Sequence, residues 1–510
     1  MRPLVNSPSA IAATVDGIAV SLIAPCTVLD ACHTAGVNVV ALCHHESLAP
    51  SPTCDVCQVI VNGMLVRACT EPLRPGVAIN TLGSAAQSAR RVALARMSVG
   101  HPAACSTCHQ SGGCELQTAL ARNAPVPLGQ PAPAQLAPAT HSPALGPLLR
   151  LHLDLCVGCT RCTRFVAEVL DRPLLTLPPG PVSSSRLHID EAGALDVPYA
   201  LALVELCPAG VFEPNNEALR AQPLWAQTAV PSVCAGCATG CPVWAHTMHG
   251  RVERVSSRGG AHFLCDDGYT LFAKPRPPRL AVPLAGNAVA SWDSALDAAS
   301  SLLAPALQNA SLGVVLSAHC PTLDVAALSK LATENPGIYR TYVHRRDDGP
   351  APPPLLSADK NPNSVAVATF AARPLSELRV DIESQKITAL FWLDPEGLDV
   401  DQQPLLATAL RSLSALVVAS VFEGALCRLA SVALPLAHFS ETAGSFVNQA
   451  GLVQRFLPIS APLGDALPGW DLTNHLARRL GIELGFDDRQ GVVRWLRRHH
   501  STLVDSAGEA

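Results

Sequence analysis

Cysteines in short, regular groups dominate the first half of this 510-residue chain. Fifteen of its nineteen cysteines, together with one histidine, form four sets between positions 43 and 265. Anionic sulfur is the ligand that iron–sulfur clusters and many zinc sites require. The odd number of cysteines and their tight grouping argue against a disulfide framework. The sequence therefore predicts several metal centres.

The first set consists of Cys43, Cys54, Cys57 and Cys69. Plant-type [2Fe–2S] sites take three cysteines from one loop and a fourth from a distant position. This set follows the same arrangement with a longer first gap, so it predicts a [2Fe–2S] cluster. A zinc ion bound by four cysteines is the alternative.

The second set consists of His101, Cys105, Cys108 and Cys114. His101 lies four residues before the first cysteine and supplies the fourth ligand that this set otherwise lacks, whereas His109 is interpreted as a bystander. We expect a [4Fe–4S] cluster whose potential is raised, because a neutral imidazole replaces a thiolate. Zinc bound by three cysteines and one histidine is the alternative.

Two further sets predict one [4Fe–4S] cluster each. The third has two x2 spacings and a remote Cys-Pro, which is the bacterial ferredoxin pattern, and the fourth encloses a segment typical of a hairpin. Zinc again remains the alternative. The third set is Cys156, Cys159, Cys162 and Cys207, and the fourth is Cys234, Cys237, Cys241 and Cys265. No role is assigned to the isolated cysteines Cys26, Cys32, Cys320 and Cys427.

The secondary structure predicted around these sets is of two kinds. Alternating apolar residues on either side of Gly or Asn-Gly predict hairpins, and short apolar runs after residue 290 predict buried strands of an α/β region. The predicted hairpins are 11–22, 58–68 and 242–256, the predicted helices are 27–36 and 85–97, and the predicted strands are 312–318, 365–370, 388–394 and 415–420.

Composition excludes several classes of protein. The formal net charge is −5, without long runs of one sign, so nucleic acid is not an expected partner. We find no secretory signal and no apolar run long enough to span a bilayer. The chain is expected to be soluble, or to reach a membrane only through other subunits. The absence of a Gly-rich dinucleotide fingerprint places neither NADH nor flavin on this chain.

The order of the motifs resembles one family, the large iron–sulfur subunits of NADH–quinone oxidoreductase (respiratory complex I), known as its G subunits. The strings LCHHESLAPSPTCDVCQVIVNG, HPAACSTCHQSGGCELQ, LCVGCTRCTRF and ELCPAGVF look like the first three cluster motifs of that family. The strings SVCAGCATGCPV, GRVERV and SFVNQAGLVQR look like the molybdopterin-oxidoreductase domain that follows. The α/β region is short for such a domain, and its two isolated cysteines lie in no recognisable metal motif, so no molybdopterin is expected.

The resemblance implies an electron-transfer function with no catalytic residue on this chain. As a subunit of an NADH:quinone oxidoreductase (translocase), the chain would carry electrons from a flavin-bearing, NADH-oxidising subunit toward quinone. It would lie with other peripheral-arm subunits on the cytoplasmic side of the inner (cell) membrane. The alternatives are a relay or molybdenum subunit of an NAD-linked formate dehydrogenase or NAD-reducing hydrogenase, and a zinc-binding structural protein.

The predicted fold class is an α+β N-terminal half, made of a β-grasp ferredoxin and [4Fe–4S] modules, followed by an α/β molybdopterin-oxidoreductase-like domain. The predicted segments are 1–82 for the [2Fe–2S] domain, 83–120 for the histidine-containing module, 121–149 for a Pro/Ala-rich linker, 150–227 for the ferredoxin-like module, 228–284 for the fourth cluster module and 285–510 for the α/β domain.

Overall fold

The computed structural model describes residues 10–99, 101–123, 146–178, 187–189, 196–215, 224–259, 263–274, 276–352, 354, 356–370 and 372–505. Most of the predicted linker 121–149 and the extreme C-terminus lie outside these residues. The chain divides into two compact units. The first comprises Met1–Gln227 and Gly259–Asp266, and the second comprises Thr228–Arg258 and Asp267–Ala510.

The first unit contains short strands and helices. The strands are β1 (Ala10–Val15), β2 (Ile18–Ile23), β3 (Gln58–Val61), β4 (Met64–Arg67), β5 (Ala78–Asn80), β6 (Leu149–Leu151), β7 (Leu175–Thr176), β8 (His188–Ile189) and β9 (Phe212–Pro214). The helices are α1 (Val28–Thr34), α2 (Ser84–Ser98), α3 (Glu115–Arg122), α4 (Arg161–Arg164) and α5 (Ala202–Leu206).

Strands β1 to β5 form a mixed sheet in the order β2-β1-β5-β3-β4, as the β-grasp prediction requires. Both of its hairpins turn at an Asx-Gly pair with positive φ at both positions, Asp16 and Gly17 in one and Asn62 and Gly63 in the other. This backbone conformation suits the twist of a two-residue hairpin. Helix α1 packs its buried face on the sheet and begins with a capping box at Thr27.

The rest of the first unit is a frame for cysteine loops. Helix α2 confirms the prediction for 85–97 and packs against β3. The antiparallel pair β6–β9 brackets the third cysteine set, and the pair β7–β8 lies in the segment between its third and fourth cysteines. Helix α4 contains the third cysteine of that set, Cys162, and α5 ends one residue before its fourth, Cys207. Regular structure therefore begins and ends at the ligand positions.

The second unit contains the longer elements. Its strands are β10 (Thr228–Val233), β11 (Pro242–Met248), β12 (Arg251–Ser257), β13 (Leu284–Ala285), β14 (Ala288–Val289), β15 (Leu312–Ser317), β16 (Ile338–His344), β17 (Arg373–Pro374), β18 (Ala389–Asp394), β19 (Ala415–Ser420), β20 (Val432–Pro435), β21 (Gly444–Val447) and β22 (Val453–Phe456). The helices after residue 265 are α6 (Asp266–Tyr269), α7 (Trp292–Gln308), α8 (Thr322–Glu334), α9 (Ser364–Ala368), α10 (Leu375–Glu383), α11 (Pro404–Arg411), α12 (Ala425–Leu429), α13 (Gly469–Arg479) and α14 (Arg489–His499).

An eight-stranded sheet organises the second unit, in the order β14-β13-β20-β19-β18-β15-β16-β17. Strands β15 to β20 run parallel to one another, whereas the edge hairpin β13–β14 is antiparallel and pairs antiparallel with β20. Every residue of β15, β18 and β19 is buried. Alternate side chains of these strands enter two hydrophobic cores, one on each face of the sheet.

The predicted hairpin 242–256 is present as β11 and β12, and three of the four predicted strands of the α/β region are present as β15, β18 and β19. The prediction for 365–370 is wrong, because VAVA lies in helix α9. A four-residue apolar run has no period long enough to separate a strand from a helical turn. None of the helices in the described part of the chain has both the length and the apolar composition needed to cross a membrane.

Candidate metal centres

The four sulfurs of the first set converge in the first unit. Cys43, Cys54, Cys57 and Cys69 are all at most 3% exposed. The Sγ atoms of Cys57 and Cys69 are 3.3 Å apart, and the Cys43 thiol interacts with the thiols of both Cys54 and Cys69. All four of these residues lie in loops, so the sheet and α1 hold the ends of the loops rather than the cysteines themselves.

These thiols cannot all ionise in the absence of a cation. Hydrogen bonds from neighbouring thiols, chiefly that of Cys54 to Cys43 and that of Cys69 to Cys57, lower the pKa of Cys43 and of Cys57. The same contacts raise the pKa of Cys54 and of Cys69, because each of these thiols faces a sulfur that carries the charge. Four buried sulfurs in mutual contact are suited to a cationic iron centre, which would allow all four to bind as thiolates.

The residues of the second set line one small cavity in the first unit. His101, Cys105, Cys108 and Cys114 all contribute to its wall. Cys114 is also the N-cap of α3, and its Sγ accepts a hydrogen bond from the amide of Gln117 at 3.4 Å. Burial raises the pKa of the Cys114 thiol to about 11, so its ionisation depends on a bound cation.

The third set is less completely buried than the first, because only Cys159 is fully buried and its other three cysteines are partly exposed. Desolvation raises the pKa of Cys159 to about 12 and raises the pKa of Cys162 and of Cys207 as well, with a further contribution from the charges of the other sulfurs of the set. The Val211 amide donates to Cys207 Sγ at 3.3 Å. The amides of the two residues directly before Val211 also stabilise the Cys207 thiolate. Amides that point at a ligating sulfur stabilise its charge and tune the potential of a cluster.

The loops of the second and third sets are in direct contact. Cys114 Sγ donates to the Pro208 carbonyl at 3.3 Å, and the Leu116 amide donates to the same oxygen at 3.0 Å. Gly210, at φ +84°, permits this approach, since a Cβ there would lie 2.8 Å from Cγ of Gln110. A ligand of one set therefore touches the residue that follows a ligand of the next.

One buried arginine connects three of the loops. Arg161 lies between Cys159 and Cys162 and is 6% exposed. Its guanidinium binds both carboxylate oxygens of Glu115, at 2.6 and 3.0 Å. It also donates to the carbonyls of Ala41 at 3.0 Å and Leu206 at 3.3 Å. These three partners lie one or two residues from a cysteine of the second, first and third sets respectively. Burial opposes the charge of Arg161, but Glu115 outweighs it and raises the pKa of the guanidinium.

Sequence reasoning missed this role of Arg161. An arginine inside the string CVGCTRC is visible as a charge among cysteines, but its partners lie 46 and 120 residues away along the chain. Only the folded structure brings these partners to it.

The cysteines of the fourth set fall into both units. Cys234, Cys237 and Cys241 belong to the second unit, where the Cys234 amide donates to the Cys241 carbonyl at 2.9 Å and closes their loop. Cys265 belongs to the first unit, where the next residue, Asp266, accepts a hydrogen bond from the Leu201 amide at 2.7 Å. The completion of this set by Cys265 stays a prediction from the sequence, as does the ligation of iron by all four sets.

The loop of the fourth set is bound to the α/β part of its own unit. The Ala238 amide donates to the Asp359 carbonyl at 2.9 Å, and the Ala238 carbonyl accepts from the Gln449 amide at 2.8 Å. Asn448 adds a side-chain bond to the Thr239 carbonyl at 3.3 Å. Gln449 and Asn448 lie in the string SFVNQAGLVQR, which explains structurally why that segment accompanies a cysteine loop far away in sequence.

Three protein families match separate parts of the chain. A 2Fe-2S iron-sulfur cluster binding domain matches residues 9–83, and the ferredoxin-like domain of NADH-quinone oxidoreductase subunit 3 matches residues 146–213. The molybdopterin oxidoreductase family matches residues 356–479. These matches confirm the predicted fold class, with ferredoxin-type domains before a molybdopterin-oxidoreductase-like domain.

Curated relatives cover about half of the chain or somewhat more. The NADPH-Fe(3+) oxidoreductase subunit alpha of Geobacter sulfurreducens is 27% identical over 57% of this chain and 34% of its own length. The NADH-quinone oxidoreductase G subunit of Pseudomonas putida is 26% identical over 57% of this chain and 33% of its own length. The mitochondrial NADH-ubiquinone oxidoreductase 78 kDa subunit of Candida albicans is 28% identical over 63% of this chain and 46% of its own length. The resemblance to the large iron–sulfur subunits of complex I is confirmed, and the matched region spans between a third and a half of these relatives.

The second unit contains a cavity of about 560 Å³, and its lining indicates whether it could bind a molybdenum cofactor. No cysteine is among the described residues that line it. Cys320 and Cys427 are buried instead in the two cores on opposite faces of the sheet, and Cys427 Sγ donates to the Phe422 carbonyl at 3.2 Å. Neither thiol is placed to bind a metal in this cavity. The charged side chains that line it have both signs and include Lys274, Arg276, Arg346, Asp324 and Glu396.

Proposed function

We propose that this chain is an iron–sulfur electron-transfer subunit that relays electrons from a flavin-bearing, NADH-oxidising partner toward quinone. One [2Fe–2S] and three [4Fe–4S] clusters would supply the one-electron redox centres. The observation that carries the proposal is the direct contact between the ligand loops in the first unit, above all the bond from the Leu116 amide to the carbonyl of Pro208. Loops in contact are what a chain of closely spaced redox centres requires.

The chain's own residues have three tasks in this proposal. The cysteines and His101 hold the metal, and burial excludes water from the sulfurs of the first set. Backbone amides such as that of Val211 stabilise thiolate charge and adjust the potential. Arg161 keeps the three loops at fixed separations. No general acid or base is needed, because electrons rather than protons are transferred.

We further propose that the chain works inside a larger assembly. Its relatives are named as subunits, and the described part of the chain has no helix suited to a membrane. The partners would be the flavin-bearing subunit and other peripheral-arm subunits, on the cytoplasmic side of the inner (cell) membrane. Contact with the membrane would be made only through those partners.

The test is purification of the native, tagged chain together with its partners. We expect flavin to co-purify, NADH to reduce the clusters as followed by EPR, and quinone to reoxidise them. Cys162→Ser should abolish this electron transfer, whereas Cys32→Ser, which alters a buried cysteine outside the four sets, should not. A colourless protein with stoichiometric zinc would contradict the proposal.

Metal content tests the cofactor part separately. We expect about 14 iron atoms per chain, which is what one [2Fe–2S] and three [4Fe–4S] clusters contain. We expect no molybdenum or tungsten, because no cysteine is among the described residues lining the cavity of the second unit. One molybdenum per chain would overturn this part and favour a formate dehydrogenase.

A second host complex is favoured by one comparison. The relative from Geobacter sulfurreducens is named as a subunit of an NADPH-Fe(3+) oxidoreductase, and it matches the same share of this chain as the relative from Pseudomonas putida. The purified assembly should therefore be assayed with NADH and NADPH as electron donors and with quinone and ferric iron as acceptors. NADPH-dependent reduction of ferric iron without quinone reduction would place the same relay in that host.

A further inference from the structure

Two histidines and one glutamate form a cluster in the first unit that belongs to none of the four sets. The nitrogens of His109 and His152 and the carboxylate of Glu213 lie within 4.8 Å of one another. His109 follows Cys108 in the loop of the second set, His152 follows β6, and Glu213 lies in β9. The cluster therefore joins the loop of the second set to the strand pair that frames the third.

The pairing of β6 with β9 explains half of this arrangement. In the ladder Arg150 pairs with Glu213, and the His152 amide extends the ladder with a 2.8 Å bond to the Val211 carbonyl. His152 is two residues beyond Arg150, so its side chain lies on the same face as Glu213, as a diagonal neighbour. The His152 Nε2 and Glu213 Oε2 atoms are 2.7 Å apart.

The loop of the second set brings the other imidazole. The rings of His109 and His152 are 5.1 Å apart between centroids and tilted by 31°. Gln110, next to His109, donates to the Val204 carbonyl at 3.2 Å and fixes the loop against α5. The His152 side chain is 35% exposed, so an ion from solvent can reach the cluster.

We propose that His109, His152 and Glu213 form a site for a divalent transition metal, with zinc as the ion that suits them best. Two imidazoles and one carboxylate are an established zinc ligand set that leaves a fourth position for water. Tetrahedral ligands about 2.1 Å from zinc lie about 3.4 Å apart, so small side-chain rotations bring the three groups into range.

A metal ion there would connect two cluster modules. His109 adjoins a ligand of the second set, and Glu213 lies two residues beyond the amide that donates to Cys207. The dication would pin the loop to the strand pair and add positive charge near both sets. We therefore expect zinc to raise the potentials of the second and third centres, a shift that should be reversed by a chelator too weak to extract cluster iron.

The test uses the whole iron-loaded chain, dialysed with zinc chloride and then analysed for zinc and iron. We expect one zinc per chain at unchanged iron content. Glu213→Gln and His152→Ala should each weaken zinc binding at least tenfold while iron content stays constant. The control is His249→Ala, which alters an exposed histidine in the β11–β12 turn and should bind zinc like the parent chain.

Zinc that enters a cysteine set must be distinguished from zinc at this site. X-ray absorption at the zinc edge should show only nitrogen and oxygen neighbours at about 2.0–2.2 Å, without sulfur at about 2.3 Å. A sulfur shell, equal zinc binding by Glu213→Gln, or no zinc in the parent chain would each overturn the proposal. Because the absorption spectrum needs no variant, the test remains decisive even if a substitution prevents folding.

Discussion

The two units of this chain bury different things. In the second, two hydrophobic cores cover both faces of an eight-stranded sheet, and strands such as β15, β18 and β19 are buried along their whole length. In the first, the apolar clusters are smaller and include the cysteines themselves, such as Cys43, Cys54 and Cys159. Buried charge does not separate the two units, since Arg161 is buried in the first and Asp394 in the second.

This difference indicates where the stability of each unit originates. Burial of apolar surface, at about 25 cal/mol per Å², can sustain the second unit without a metal. The first unit instead places several thiols with raised pKa in its interior, among them Cys54, Cys69 and Cys159. Metal binding to such ligands becomes folding free energy. The first unit should therefore depend on iron and the second should not.

Removal of iron should have the largest effect. In the iron-free chain under reducing conditions, we expect hydrogen-exchange protection to fall at least about 100-fold over the cysteine loops and short elements of the first unit. Protection of β15, β18 and β19 should remain. The measurement is hydrogen exchange of the whole chain by mass spectrometry, before and after chelation. Equal protection of the first unit in both states would show that the first unit does not depend on iron for its stability.

Replacement of Arg161 by methionine should have the next largest effect. It removes one donor from each of the carbonyls of Ala41 and Leu206, of which Ala41 keeps the bond from the His44 amide, and it leaves Glu115 without its counter-ion. Glu115 is 44% exposed, so part of its charge is solvated, and we expect a loss of about 2–3 kcal/mol in the first unit. Denaturant unfolding, followed by loss of visible cluster absorbance, measures it.

Two further variants make the Arg161 prediction specific. Arg161→Lys keeps the charge but not the two parallel bonds to Glu115, so the stability of this variant should lie between those of Arg161→Met and the parent chain. Arg379→Met, which removes an exposed ion pair with Glu383 in the second unit, should change stability by less than about 1 kcal/mol. An Arg161→Met chain as stable as this control would show that the three loops do not need a common anchor.

The sequence predicted features that depend on neighbouring residues, but not those that depend on residues far apart in the chain. Local patterns predicted the Asx-Gly hairpins and helix α1, because turn chemistry and capping act within a few residues. Helix α2 was predicted as well, although no side chain caps its N-terminus. The run at 365–370 failed because tertiary packing decides the state of so short an apolar segment. The cysteine sets were visible as spacings, but the contacts of Arg161 and the meeting of His109 with Glu213 depend on residues dozens of positions apart.

Replacement of His101 should change a potential more than a stability. His101 lines the same cavity as Cys105, Cys108 and Cys114, so His101→Cys should keep a cluster and lower its potential by on the order of 100 mV, because a thiolate adds negative charge. His101→Ala should weaken or lose the cluster. EPR-monitored redox titration measures both. If neither variant alters the spectrum or the potential, another residue, such as His109, is the ligand.

Replacement of Cys237 by serine should have the smallest effect on either unit's fold. Its loop is already held by backbone bonds between Ala238 and the α/β segment, to Asp359 and to Gln449. Three of the four cysteines of this set belong to the second unit, whereas the other three sets belong to the first, so we expect the main path of electrons to run without this cluster. Its role would then be structural, with iron–thiolate bonds that pin the β11–β12 hairpin to the C-terminal domain.

The Cys237→Ser chain should therefore contain about four fewer iron atoms, while β15, β18 and β19 keep their hydrogen-exchange protection. The amount of assembled complex in membranes should fall, because the loop is less firmly held. NADH–quinone activity per flavin should stay nearly unchanged, because the sets of the first unit are intact. Normal assembly with a collapse of activity per flavin would mean the opposite. The fourth set would then lie on the electron path, and the second unit would share the metal-dependent function assigned to the first.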